Sequence, residues 1–249
     1  MKIPEKLIST LQNAQQVLVL TGAGMSAESG VPTFRDAQAG LWQKYRPEDL
    51  ATPQAFSRNP RLVWDWYADR RSNIRRVNPH AGHLALVEIE QYFTQLLIVT
   101  QNVDSLHQRA GSGNVVELHG NIMRTVCSLT GKEIGPDWLK NNPGHPPASP
   151  HHPDGLARPA VVWFGESLPE QAMNTAIEQA ARCDVCFSIG TSSLVQPAAS
   201  LPYLALESGA IVIEINPLPT PLSAHASFNL QSSAADALTA IAADLDRQH

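Results

Sequence analysis

The residues best suited to chemistry stand where short apolar runs end. Val17-Leu18-Val19-Leu20 leads into Thr21-Gly22-Ala23-Gly24-Met25-Ser26-Ala27, a glycine turn. Gly22 and Gly24 let the backbone bend sharply and approach a ligand that any side chain would exclude. Ala27 takes the third place of a G-x-G-x-x-G/A pattern, where a small residue lets the following helix pack against the strand. The amides that begin that helix, with its dipole, suit a pyrophosphate. Alone, such a turn is also compatible with a purely structural role. It departs from the ordinary dinucleotide fingerprint too, since no strand ending in Asp or Glu follows about 20 residues on. The loop instead continues into Pro32-Thr33-Phe34-Arg35-Asp36, so a second part of the same site is built in place.

Two more runs end in polar residues. Leu96-Leu97-Ile98-Val99-Thr100 is followed by Gln101, Asn102 and Asp104, side chains at the end of a buried strand, where open α/β sheets bind ligands. Val115-Val116-Glu117-Leu118 is followed by His119-Gly120. A lone histidine is more often structural than catalytic, but a strand end beside a glycine leaves the ring accessible. A different pattern occurs at Val63, Trp66, Tyr67, Arg70, Ile74 and Val77, which recur at helical spacing as one stripe. Arg70 therefore stands in an apolar line, one turn after Tyr67, and a buried guanidinium is costly without an anion. Read from these residues alone, it snorkels or meets a structural carboxylate, the reading they favour, or else Tyr67 and Arg70 hold a ligand carboxylate.

The scaffold that positions these groups alternates helices and strands. Helices are expected over 5–14, 80–93, 169–182 and 234–246, with another opening at Asn59-Pro60, a cap followed by a proline at the first position. Strands are expected at the three runs above and over 161–166, 185–190 and 211–216. Thr191-Ser192-Ser193 closes the second of these, and the last ends in Asn216. This alternation means an α/β fold with a doubly wound parallel sheet. Residues 37–60 read as a loop with short helices, able to close over a ligand, and 125–159 as an irregular insert. With 249 residues, 43% hydrophobic and 16% charged, the chain is one globular domain, alone or with a small insert. A net charge of -5 argues against nucleic acid or an anionic membrane as partner. The first ten residues carry Lys2, Glu5 and Lys6 and resemble neither a signal peptide nor a membrane span. Three cysteines, an odd count, argue against disulfides and point to the cytoplasm. Cys183 and Cys186 stand at the entry to a strand and read as core thiols.

Together, several motifs are similar to those of the sirtuin family of NAD-dependent protein deacylases. They are Gly22-Ala23-Gly24-Met25-Ser26 with Gly30-Val31-Pro32-Thr33-Phe34-Arg35, then Thr100-Gln101-Asn102-Val103-Asp104, Leu118-His119-Gly120, Val162-Trp163-Phe164-Gly165-Glu166 and Gly190-Thr191-Ser192. Their order and spacing follow the family over nearly the whole chain. The resemblance implies a Rossmann-like NAD-binding domain over 1–36, 81–122 and 161–249. Residues 37–80 and 123–160 would form a small inserted domain, partly helical and partly a degenerate zinc ribbon. It implies that Gly22, Ala23, Gly24, Phe34 and Arg35 hold the phosphates and ribose of NAD and cover the reaction centre. Gln101, Asn102 and Asp104 would line the nicotinamide side, and Gly190, Thr191, Ser192 and Asn216 would cradle the adenosine half. In the family's reaction the acyl oxygen of a modified lysine attacks the ribose carbon as nicotinamide leaves, and the acyl group ends on ADP-ribose. His119 would be the general base taking a proton from a ribose hydroxyl, a role that suits imidazole, with its unperturbed pKa of ~6.5. Val162, Trp163, Phe164, Gly165 and Glu166 would present a strand edge to which the acylated-lysine peptide adds.

The resemblance also changes the reading of the helical stripe. Tyr67-x-x-Arg70 is similar to the pair in family members that remove succinyl, malonyl or glutaryl groups, where a guanidinium and a tyrosine hydroxyl read a carboxylate. Trp42-Gln43-Lys44-Tyr45 and Leu50-Ala51-Thr52-Pro53 resemble the same subgroup. One departure is large. Most sirtuins carry a structural zinc on two C-x-x-C pairs. Here the first reads Cys127-Ser128-Leu129-Thr130, and Pro150-His151-His152-Pro153 stands at the second. Four good ligands are wanted; Cys127, His145, His151 and His152 are the candidates, and the expectation is no zinc. The rivals to a lysine deacylase are an NAD hydrolase or ADP-ribosyltransferase on the same fold, and a non-catalytic NAD-sensing module. His119 and the segment 162–166 serve acyl transfer and argue against both.

Overall fold

Strands form at the apolar runs because a run bounded by turn residues can be buried on both faces of a parallel sheet. The structure, a computed structural model, describes residues 1–32 and 45–247. Phe34 and Arg35, with Thr33, Asp36 and Trp42-Gln43-Lys44, lie outside the described residues. In chain order the strands are β1 (Gln16–Thr21), β2 (Gln95–Thr100), β3 (Val115–Glu117), β4 (Gly120–Cys127), β5 (Ala157–Val161), β6 (Val185–Ile189), β7 (Ile211–Ile215) and β8 (Phe228–Leu230). The helices are α1 (Glu5–Asn13), α2 (Ala23–Ala27), α3 (Pro47–Leu50), α4 (Pro53–Arg58), α5 (Pro60–Arg76), α6 (Ala81–Glu90), α7 (Leu106–Ala110), α8 (Pro136–Asn141), α9 (Glu170–Ala180), α10 (Leu201–Glu207) and α11 (Ala234–Asp246). No helix among the described residues is long and apolar enough to cross a membrane.

The main sheet runs β3-β2-β1-β6-β7-β8, with every neighbouring pair parallel, the doubly wound arrangement expected from the sequence. Chain order reverses between β1 and β6, the place where open α/β sheets bind ligands. Register keeps the carboxyl ends level there, with Thr21 opposite both Thr100 and Ile189. Alternate residues of β1 serve opposite layers. Val17 and Val19 pack with Leu7 and Leu11 of α1, Leu86 and Ile89 of α6, and Leu238 and Ile241 of α11. Leu18 and Leu20 pack with Ala176 and Ala180 of α9 and Leu201 and Ala205 of α10. All are buried, and each large side chain contributes about 1.5–3 kcal/mol of transfer free energy.

A separate antiparallel pair, β4 with β5, packs against α5. Its Ile122 and Val161 share a core with Leu50, Phe56, Val63, Trp66, Tyr67, Ile74 and Trp163. The Asn59 side chain accepts from the Leu62 amide at 3.1 Å, capping α5 just before Pro60. Arg71 ties that helix to β4 through the carbonyls of Ile122 (2.5 Å) and Arg124 (3.3 Å) and the Thr125 hydroxyl (3.2 Å).

Here the chain departs from two sequence expectations. Residues 125–159 are not wholly irregular, since they hold the end of β4, all of α8 and most of β5, and the strand expected over 161–166 ends at Val161. Pro159 disguises β5, yet in a two-stranded sheet each strand has a free edge that tolerates a proline. Beyond Val161 the chain turns. Gly165 adopts φ +88°, the Glu166 amide bonds the Trp163 carbonyl, and the Trp163 amide bonds the Glu166 carboxylate. Those local bonds replace a ladder.

Candidate active site

The loops after β1 and β6 meet backbone to backbone. The Gly22 amide donates to the Ile189 carbonyl (3.0 Å) and the Gly24 amide to the Gly190 carbonyl (2.9 Å). A Cβ at Gly24 would lie 2.7 Å from the Gly190 Cα, and one at Gly190, where φ is +60°, would lie 2.3 Å from the Met25 nitrogen. The glycines therefore allow the two loops to touch, and both of these amides, from the loop after β1, face the loop after β6. Ala27, expected as the small packing residue, is exposed; Met25 is buried in its stead, and the tight contact belongs to Gly24.

Behind the glycine turn lies a polar chain. Asn102 donates to the Gly22 carbonyl (2.9 Å) and the Ser26 hydroxyl (3.0 Å). Ser26 bonds the Asp104 carboxylate, which also accepts from the Leu106 amide at 2.9 Å. Burial raises the Asp104 carboxyl above its usual range, against the Leu106, Ser26 and Arg109 interactions that favour its charge. Thr21 donates to the Thr100 hydroxyl (2.8 Å) and so accepts from Nε2 of the buried His107 (3.0 Å). Burial, reinforced by nearby His80, holds the His107 ring neutral, its pKa down to about 4. Sequence reasoning had not singled out Thr21, Ser26 or His107. Ser26 sits inside the glycine motif and His107 ends the polar string from Gln101, which was the available signal.

His119 bonds the Gln101 carbonyl through Nδ1 at 2.9 Å. That acceptor places the ring proton on Nδ1 and leaves Nε2 with its lone pair. Burial lowers the His119 pKa below the ordinary value, outweighing the Gln101 bond. On the far side of the switch point, Asn216 donates to the Thr191 carbonyl at 2.7 Å, and the Thr191 hydroxyl bonds Ser188 (2.9 Å) and Ser193 (3.2 Å), with Ser192 half-buried between them.

The segment from Val162 to Glu166 joins this site to the small module. Amides of Val162 and Phe164 donate to the carbonyls of His119 and Ala51, both at 2.9 Å, so they are not open to an added strand. Phe164 is 49% exposed, whereas Trp163 is buried. Tyr67 and Arg70 lie on one face of α5 beside it. The Tyr67 ring packs edge-on to Trp66 with centroids 4.6 Å apart, and the Arg70 guanidinium sits 5.1 Å from the Trp66 ring. Burial pushes the Tyr67 hydroxyl up to about 12 and pulls the Arg70 guanidinium below its usual range.

The residues at the zinc-ribbon position do not fit a zinc ion. His145 bonds Asp65 (2.8 Å), His151 bonds the Glu133 carbonyl (2.7 Å), and His152 accepts from the Asp154 amide (3.1 Å). Cys127 is buried. Burial raises its thiol pKa, but Ser149, Thr130 and the amides of Leu129 and Thr130 donate to it and bring the value down to about 6. Among the described residues no cluster of three or more His, Cys, Asp or Glu could hold a metal. Cys183 and Cys186 are both buried, with burial raising their thiols.

The profile of the Sir2 family matches residues 22–197. The NAD-dependent protein deacylase of Aquifex aeolicus is 48% identical over 222 residues, 89% of this chain and 92% of its own length. A crystal structure of a Sir2 homologue–NAD complex superposes with a TM-score of 0.92 at 40% identity, over 99% of this chain and 95% of that one. A Sir2–p53 peptide–NAD+ complex does so with a TM-score of 0.86 at 28% identity, over 98% of each chain. With sequence and fold alike matched across the loops that meet at the switch point, the chain belongs to the Sir2 family.

Proposed function

We propose that this chain, an NAD-dependent protein deacylase like its relatives, prefers lysines whose acyl group ends in a carboxylate, such as succinyl, malonyl or glutaryl, and takes acetyl-lysine less well. The observation that carries this reading is the pairing of Tyr67 and Arg70 on one face of α5. A half-buried, partly desolvated guanidinium gains from an anion, and a hydroxyl that stays protonated is a donor at neutral pH.

NAD in this reading lies along the junction where the backbones of Gly22, Gly24 and Gly190 meet, the glycines having let the two loops close there. When bound it supplies an electrophilic ribose carbon, nicotinamide as leaving group and the acceptor for the acyl group. Gly22, Ala23 and Gly24, with Phe34 and Arg35 from outside the described residues, bind its phosphates and ribose in this reading. Gln101, Asn102 and Asp104 line the nicotinamide side, and Gly190, Thr191, Ser192 and Asn216 the adenosine side. His119 takes a proton at Nε2, since Nδ1 is held by Gln101. Val162, Trp163, Phe164, Gly165 and Glu166 receive the acylated-lysine protein.

The test is kcat/KM on one peptide carrying acetyl-lysine or succinyl-lysine, with NAD. Succinyl is expected to lead by about tenfold or more, the worth of a charge-assisted contact. An acetyl preference discards the acidic pocket, and nicotinamide release without acyl loss points to an NAD hydrolase. We further infer that the small module is metal-free. Incubation with a chelator is expected to leave the Tm unchanged, and the purified protein to hold far less than one zinc per chain; unfolding by the chelator overturns this.

A further inference from the structure

Tyr67 and Trp163 meet in the core of the small module. Nε1 of Trp163 donates to the Tyr67 hydroxyl oxygen at 3.0 Å, and both side chains are buried. An indole nitrogen has a hydrogen to give and no lone pair to receive one. The bond therefore has one possible direction, and the proton of Tyr67 must point away from Trp163. Arg70, one turn along α5, is no alternative acceptor, because a guanidinium carries only donors. Among the described residues nothing accepts the Tyr67 proton.

The indole is itself held in place. The Arg158 guanidinium lies 3.3 Å from the ring centroid and is anchored by both Glu166 oxygens (2.6 and 2.9 Å) and the Val161 carbonyl (2.9 Å). Glu166 also accepts from the Trp163 amide at 2.8 Å, and Phe56 flanks the indole at 5.3 Å. Backbone amide, cation and aromatic neighbour together fix the rotamer from which Nε1 reaches Tyr67.

We propose that Trp163 is a specificity-positioning residue: by donating to the Tyr67 oxygen it aims the tyrosine proton, together with the Arg70 donors, at one shared acceptor, the terminal carboxylate of an acidic acyl group. This rests on the acidic-acyl reading above. An acetyl group ends in a methyl and offers these donors nothing, so Trp163 acts on the choice between acyl groups through Tyr67.

The experiment compares wild type, Trp163→Phe, Tyr67→Phe, the double variant and Arg70→Met on acetyl-lysine and succinyl-lysine forms of one peptide. Trp163→Phe keeps an aromatic ring for Arg158 and removes the donor. Its succinyl-to-acetyl ratio of kcat/KM is expected to fall about fivefold to tenfold, the worth of one hydrogen bond, mostly through KM for the succinyl peptide. Tyr67→Phe is expected to lower the ratio as much, and the double variant no further. Equal losses on both peptides, or single effects that multiply in the double variant, overturn the proposal. Should Trp163→Phe melt too low to assay, a benzothienyl analogue of tryptophan at 163, which keeps the ring shape and replaces the indole N–H by sulfur, takes its place; an unchanged ratio then overturns the proposal. The two levels separate cleanly. A ratio lowered by Arg70→Met but untouched by Trp163→Phe removes only the role of Trp163. A wild type without succinyl preference, with Arg70→Met neutral, removes the acidic-acyl reading itself.

Discussion

His119→Ala is expected to lower kcat/KM for deacylation by about two to four orders of magnitude, the usual worth of a positioned general base. The fold should survive. The ring is half-buried and makes one bond to the Gln101 carbonyl, and losing a single hydrogen bond costs about 1 kcal/mol, a few degrees of Tm at this chain length. The pH profile gives the assignment a second signature. Burial lowers the His119 pKa below 6.5, more than the Gln101 bond raises it. The neutral, proton-accepting ring therefore predominates at pH 7, and activity is lost only as pH falls through the lowered value. Since kcat/KM reports the free enzyme, its acid limb is expected below pH 6.5 in wild type and should vanish in the variant. Residual activity above about one tenth, or an acid limb that persists unchanged, would assign the base to another group.

The sheet was legible because parallel strands buried on both faces leave continuous apolar runs, and Val185-Cys186-Phe187-Ser188-Ile189 is such a run. The β4–β5 pair was not, for opposite reasons. Its register shifts between Asn121 and Thr125, Arg124 interrupts the alternation, and Pro159 stands inside the partner strand. The glycines could be read as sites of close approach, but not what approaches them. Gly24 and Gly190 are brought together by the β1–β6 pairing, a tertiary event that no local pattern announces. The same limit explains Ala27, assigned by motif to a packing position and found exposed. At His119 the sequence carried the residue and its strand-end position, while the tautomer depends on a carbonyl contributed by the end of another strand. Tyr67 and Arg70 were visible as a stripe on α5, but the direction of the Tyr67 hydroxyl follows from Trp163, which itself depends on Arg158 and Glu166.

Arg70→Met is expected to cost succinyl-lysine turnover roughly tenfold to over a hundredfold while lowering acetyl-lysine turnover far less. Hydrogen bonds to a charged group are worth about 1.5–3 kcal/mol, and each 1.4 kcal/mol is tenfold. Methionine keeps an unbranched stem to cover Trp66, where the guanidinium now sits 5.1 Å from the ring, so packing changes less than charge. The variant also removes a cation whose pKa burial lowers. Taking such a charge out of a half-buried place removes its desolvation cost together with its interactions with Trp66, Tyr67 and Asp69, so stability should change little. Arg70→Lys separates charge from geometry: a point charge without the planar fork should retain only part of the succinyl preference. These expectations share one comparison, the two peptides assayed on each variant with a Tm beside every rate. Equal loss on both peptides with a falling Tm would return Arg70 to a structural role. Selective loss at a nearly unchanged Tm is the outcome expected of a side chain whose charge serves the acyl group it receives.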